Sequence, residues 1–113
     1  MGDFKIGLNE VSLGLPMSEF GFMLARERLS KRHFTAAIIQ GQLYSPEEAI
    51  DVGFLDRLSP ADAVLNTALE EAQRLLTLDA SAYAYNKQVA RGALVTRVLD
   101  NLESNILELV QGI

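Results

Sequence analysis

Near its start the sequence runs Phe4-Lys5-Ile6-Gly7-Leu8-Asn9-Glu10-Val11-Ser12-Leu13-Gly14-Leu15-Pro16. This stretch sets one carboxylate among apolar and small residues, with glycines on either side. The pattern predicts a short strand that delivers Glu10 into a confined space. A carboxylate held among apolar groups has its charged form disfavoured, which suits it to take and return a proton near neutral pH. The same spacing fits an ordinary strand end whose acid points to water, so the rest of the chain has to decide between the two.

Working outward, Pro16 closes a Gly-Leu-Pro turn, and Ser18 with Glu19 opens a helix predicted to reach about Leu29, with Phe20, Met23, Leu24 and Leu29 inward. Ser30 reads as a new N-cap. Phe34, Ala37 and Ile38 continue a short second helix that Gly41 stops. Ser45-Pro46-Glu47-Glu48 combines an N-cap serine, a proline at the first helical position and a glutamate three residues after the serine, which is a reciprocal capping box. Gly53 ends that helix, and Phe54-Leu55-Asp56-Arg57-Leu58 is long enough only for a small strand.

Ser59-Pro60 opens the next helix by the same device as Ser45-Pro46. It is predicted to run to about Leu76, with Ala63, Val64, Ala68, Ala72 and Leu75 along one side. Asp79 caps a further helix through about Arg91, with Gly92 as a break or hinge. The last helix, about 94–111, carries Val95, Val98, Leu99, Leu102, Ile106, Leu109, Val110 and Ile113 as an apolar stripe. Its polar back is made of Arg97, Asp100, Glu103, Glu108 and Gln111. Such a helix packs on its own domain or forms an oligomer surface. The expected fold class is mainly α with one or two short β-strands.

A chain of 113 residues forms one domain at most, and a folded monomer of that size buries roughly 65% of the surface its unfolded chain exposes. The hydrophobic fraction of 49% is high for so small a domain and points to apolar surface covered by other chains. A net charge of −5 argues against general attraction to nucleic acid or anionic lipid. The absence of cysteine removes disulfides, thiolate catalysis and cysteine-ligated metals, and a single histidine, His33, leaves little for a metal site. No stretch reaches the roughly 20 apolar residues of a membrane span, and the N-terminus lacks the layout of a secretory signal. The default compartment is therefore the cytoplasm or an organelle matrix.

Taken in order, Ile6-Gly7-Leu8-Asn9-Glu10-Val11, Leu13-Gly14-Leu15-Pro16, Gly41 with Ser45-Pro46-Glu47-Glu48-Ala49, and Gly53-Phe54-Leu55-Asp56 resemble the C-terminal half of the crotonase superfamily, the enoyl-CoA hydratases and isomerases. The resemblance implies the C-terminal part of an α/β spiral core over residues 1–58 and a helical trimerisation region over 59–113. It implies that Glu10 is the catalytic acid/base, and its Ile-Gly-Leu-Asn-Glu form is similar to that of the isomerases. In those enzymes one glutamate removes a proton alpha to the thioester carbonyl and returns it two carbons further along. Pro16, Phe20 and Lys87 are the positions the resemblance places at the substrate, Lys87 near the nucleotide end of CoA. It further implies an acyl-CoA partner, no separate cofactor and no metal, and a homo-oligomer, trimer or hexamer.

The departures from the family pattern matter as much. The family's CoA-binding loops, oxyanion-hole glycines and second glutamate lie in its N-terminal half, and nothing in this chain corresponds to them. A thioester enolate needs its charge met by preorganised N–H donors, and losing one such donor costs about 100- to 1,000-fold in rate. The isolated chain is therefore expected to bind acyl-CoA very weakly or not at all, leaving helical self-association as the alternative role. The usual glycine-rich turn after the proline is replaced by Met17-Ser18-Glu19-Phe20-Gly21, where Glu19 is either a pocket acid or an acid favouring the helix dipole. Arg26, Arg28, Lys31, Arg32 and His33 form the basic cluster. It reads as a solvated face, with a CoA phosphate or an RNA backbone as the sharper alternatives. Tyr83 and Tyr85 stand two apart and make no stacking platform on a helix.

Overall fold

The capping box forms as the sequence requires. In the computed structural model, which describes residues 3–111, the Ser45 hydroxyl accepts the Glu48 N–H at 3.2 Å. The Glu48 carboxylate accepts the Ser45 N–H at 3.0 Å. This pair opens α2, Pro46–Val52, and Pro46 sits where a missing N–H costs nothing. Gly53 stops the helix with φ +107°, and a Cβ there would meet the Arg28 carbonyl oxygen at 2.9 Å and the Leu29 Cα at 3.2 Å. Glycine is thus required twice over, by the left-handed turn and by the backbone lying against it.

That neighbouring backbone is the end of α1, Glu19–Arg28, whose cap is Ser18, accepting the Gly21 N–H at 3.3 Å. Met23 and Ala25 are buried, and Leu29, the extended residue closing the helix, is buried too, whereas Leu24 faces outward against expectation. The Ser30 N–H then donates to the Val52 carbonyl at 2.9 Å, tying the end of α1 to α2. The Ser30 hydroxyl does not cap a second helix; it lies 3.2 Å from His33 Nδ1. Instead of a short α-helix the chain makes one π turn, Thr35–Ile39, closed by the Gln40 N–H on the Thr35 carbonyl at 3.1 Å.

Among the described residues, strand structure is reduced to a single antiparallel bridge, in which Ile6 and Tyr44 exchange backbone bonds of 2.9 and 2.8 Å. It cannot lengthen, because Pro46 starts α2 on one side and Glu10 opens a 3-10 turn, Glu10–Leu13, on the other. Phe54–Leu58 forms no strand. The Leu55 N–H bonds the Ala49 carbonyl at 3.2 Å, the Phe54 ring packs 6.1 Å from that of Tyr44, and Asp56 pairs with Arg28 at 2.8 Å. These contacts run to α1, α2 and Tyr44. The core they enclose consists of Ala25, Leu29, Ala37, Ile38, Tyr44, Ala49 and Val52, with Ile6, Leu8, Met17, Phe22, Phe34 and Phe54 against it.

The chain divides into two compact units, one made of residues up to Leu58 together with those from Asp100 onward, the other of Ser59–Leu99. In the second, Ser59 does not repeat the capping device. Its hydroxyl meets that of Thr67 at 3.2 Å, and a 3-10 turn, Ala61–Ala63, precedes α3, Val64–Leu76, which starts without a side-chain cap. Asp79 does cap, accepting the Ala82 N–H at 2.8 Å, but α4, Ala80–Asp100, then runs unbroken through Gly92. One glycine costs a helix interior only about 1 kcal/mol, too little to stop a helix of 21 residues. The break comes at Asn101, before α5, Leu102–Val110. Ile113 lies outside the described residues, as does the side chain of Leu109.

No described residue of Ser59–Leu99 is buried; of the stripe expected along α3, Val64, Ala68 and Ala72 are exposed and Ala63 and Leu75 half-buried, and Leu65, Leu69 and, at 84%, Leu76 are exposed beside it. In the first unit, the one buried residue among those described in α5 is the polar Asn105, while Leu102 and Ile106 of the expected stripe are exposed.

Candidate active site

Two glycines let the Glu10 segment lie tightly along residues 41–44. A Cβ on Gly7 would meet Leu43 Cδ2 at 2.8 Å and the Gln42 carbonyl oxygen at 2.9 Å, and one on Gly41 would meet Val11 Cγ1 at 2.8 Å. Gly41 also takes φ +67°, which side-chain-bearing residues rarely adopt. Held this way, the chain turns sharply at Glu10: the Leu15 N–H donates to the Glu10 carbonyl at 2.9 Å, and the Ser12 N–H and hydroxyl both donate to Asn9. Gly14 closes the turn at φ +73°.

Glu10 therefore sits at the head of a 3-10 turn, not at the end of a paired strand. Its Oε2 is buried and finds no hydrogen-bond partner among the described residues. A buried acceptor without a partner is costly for stability.

Of the other expected site residues, Pro16 follows directly on the turn that Glu10 opens, and it is exposed. Phe20 is half-buried in the first turn of α1, with its N–H bound 3.1 Å from Asn105 Oδ1. Between them, Met17 lies against Gly21 so closely that a Cβ there would meet Met17 Sδ at 2.7 Å. Glu10, Pro16 and Phe20 are thus joined by one continuous, internally bonded stretch. Lys87 lies in the second unit, exposed on α4.

The basic cluster is largely engaged. Arg28 pairs with Asp56 at 2.8 Å, Arg32 with Asp51 at 2.8 Å, His33 Nε2 lies 3.3 Å from the same Asp51 oxygen, and Arg26 stacks 4.8 Å over the Phe34 ring. Such exposed pairs contribute little to stability, but they leave the cations turned toward the protein's own acids. A cleft of about 490 Å³ opens beside them, lined by Arg32, His33, Ala36, Gln42, Tyr44, Glu47, Glu48, Asp51 and Val52; Glu10 is not among its walls. The described residues hold no cluster of three or more acids or histidines placed for a metal ion. No helix among them is long and apolar enough to cross a membrane.

Two residues escaped the sequence reading. Tyr44 is 3% exposed, and its hydroxyl has no partner among the described residues. Burial, and secondarily the nearby Glu48 charge, push its phenol above the ordinary tyrosine range. Asn105 is 1% exposed and links α5 to α1. The only signal for it was a polar side chain interrupting an apolar stripe.

The family profile described as enoyl-CoA hydratase/isomerase matches residues 3–107. Human mitochondrial enoyl-CoA delta isomerase 1 is 27% identical over 107 residues, 95% of this chain and 35% of the relative. Its mouse counterpart is 29% identical over 104 residues, 91% of this chain and 36% of that protein. A crystal structure of an enoyl-CoA hydratase/isomerase family protein from Pseudomonas syringae superposes with a TM-score of 0.83 at 33% identity, over 99% of this chain and 47% of that one. The chain thus spans 35% of the length of the human relative and just under half of the bacterial structure.

Proposed function

Because this chain belongs to the enoyl-CoA hydratase/isomerase family, with the fold of the helical C-terminal part of crotonase structures, we propose that Glu10 is the acid/base of a proton transfer on an acyl-CoA thioester. The observation that carries the reading is the buried, unpartnered Oε2 of Glu10, at the head of a turn held in place by Gly7, Gly14 and Gly41. The carboxylate takes a proton alpha to the thioester carbonyl and returns it two carbons further along, so that the double bond moves and the carboxylate is regenerated. A positioned base contributes typically 10²–10⁴-fold. Negative charge developing on the thioester oxygen requires N–H donors in addition. Those donors and the CoA-binding loops belong to the part of the family fold outside residues 3–111, and residues 3–111 alone bind acyl-CoA weakly and turn none over.

The test joins this chain to the complementary half of the family fold and follows an unsaturated acyl-CoA. Activity that falls at least about 100-fold in Glu10→Gln supports the role; wild-type rates in that variant would sink it.

A second reading rests on a separate observation, the lack of any buried residue across Ser59–Leu99. Helices with apolar faces and no core of their own gain stability by being covered, and self-association supplies the cover. The two readings are compatible, since assembly helices can serve an enzyme.

A further inference from the structure

Among its described residues the α5 helix contributes one wholly buried side chain, and it is an asparagine. Both ends of the Asn105 side-chain amide are used. Nδ2 donates to the Asn101 carbonyl at 2.6 Å, one turn back on its own helix, and Oδ1 accepts the Phe20 N–H at 3.1 Å, 85 residues away in sequence. The two bonds fix the orientation of the amide. Turning it over would set its NH₂ against the Phe20 N–H and its oxygen against the Asn101 carbonyl, so both bonds would become repulsions.

Phe20 occupies the first turn of α1, where the N–H groups have no partner within the helix. Ser18 takes the Gly21 N–H and Asn105 takes that of Phe20, so α1 carries two caps, one local and one from the far end of the chain. The segment so held runs straight back to the candidate base, through Met17 packed on Gly21 and the Leu15 N–H on the Glu10 carbonyl.

We propose that Asn105 is a positioning residue: it fixes the first turn of α1, and with it Phe20, relative to Glu10. The proposal rests on the reading of Glu10 as the base and on the family resemblance that places Phe20 at the substrate. Loss of the Asn105 acceptor frees the Phe20 N–H and loosens the first turn while leaving the Glu10 carboxylate in place. The consequence falls on how well substrate is held and little on the proton transfer itself.

Two measurements test it. Amide hydrogen exchange on the whole chain compares wild type with Asn105→Leu, which keeps the bulk but cannot accept, and with Asn105→Asp, whose buried carboxyl in its neutral form keeps the acceptor oxygen for the Phe20 N–H and offers an O–H to the Asn101 carbonyl. Exchange at Phe20 at least ten-fold faster in the leucine variant, with most of the protection retained in the aspartate variant, is expected. Unchanged protection at Phe20 in the leucine variant overturns the proposal, and so does equal loss in both variants. Should the leucine variant lose α2 protection as well, the aspartate variant alone decides: protection at Phe20 close to wild type supports the role, and its loss overturns it. The second measurement is steady-state kinetics in the complete enzyme. Asn105→Leu is expected to raise KM at least five-fold with kcat within two-fold of wild type, and Asn105→Asp to restore most of it. Unchanged KM in the leucine variant removes the positioning role even if Phe20 exchanges faster. Glu10→Gln reports separately, since failure of the catalytic reading appears as an unchanged kcat in that variant alone.

Discussion

Tyr44 carries a buried hydroxyl that bonds nothing among the described residues, beside a backbone that does essential work in the bridge to Ile6. Removing an unpaired buried polar group while keeping the ring is nearly neutral or stabilising. Tyr44→Phe is therefore expected to raise unfolding stability by up to about 1 kcal/mol at neutral pH in a denaturant titration. A loss larger than about 1 kcal/mol would mean that the hydroxyl has a partner. The pH dependence follows from the same burial. The folded phenol holds its proton more tightly than the ordinary value of 10.0 in the unfolded chain, burial being the larger cause and Glu48 the lesser. Its contribution is whole below that value and is lost as pH climbs through the folded one. Wild type should lose stability above about pH 10 more steeply than Tyr44→Phe. At this scale the close packing of the Glu10 segment was legible in its glycines, while the strand expected to deliver Glu10 is a 3-10 turn. Tyr44 was not legible, because its burial depends on Phe54 and Val52, brought to it only by the fold.

Among elements, those specified by local chemistry were readable and those specified by distant contacts were not. The Ser45–Glu48 box and the Ser18 cap need only three residues of chain each, and both formed as the spacing required. Ser30 and Ser59 have the same chemistry, yet their hydroxyls face His33 and Thr67, partners that sequence proximity to a helix start did not reveal. Gly92 is the sharpest case, since a glycine between two apolar runs reads as a hinge while α4 passes straight through it. A Cβ there would meet nothing closer than the flexible end of Gln88, Nε2 at 3.0 Å. Gly92→Ala is accordingly expected to stabilise the protein by about 0.5–1 kcal/mol, read as a higher midpoint in thermal unfolding. A lowered midpoint would show that the backbone needs freedom at this point. The real break, at Asn101, had no glycine or proline to mark it; the Asn101 carbonyl there gathers the Asn105 N–H, the Asn105 Nδ2 and the Ser104 hydroxyl.

Over the whole molecule, the excess of apolar residues seen in composition resolves into one unit with a core and one without. Leu65, Leu69 and Leu76 share a face of α3 by their spacing and are all exposed. Sedimentation at micromolar concentration is expected to show self-association, shifted toward monomer by Leu69→Lys; a clean wild-type monomer would remove the assembly reading. The enzymatic reading stands on Glu10, and it is tested most directly by kcat for an unsaturated acyl-CoA in the complete family fold carrying Glu10→Gln. A fall of at least about 100-fold with substrate still bound is the result expected of the only base in a proton shuttle. Turnover at the wild-type rate in that variant would contradict it.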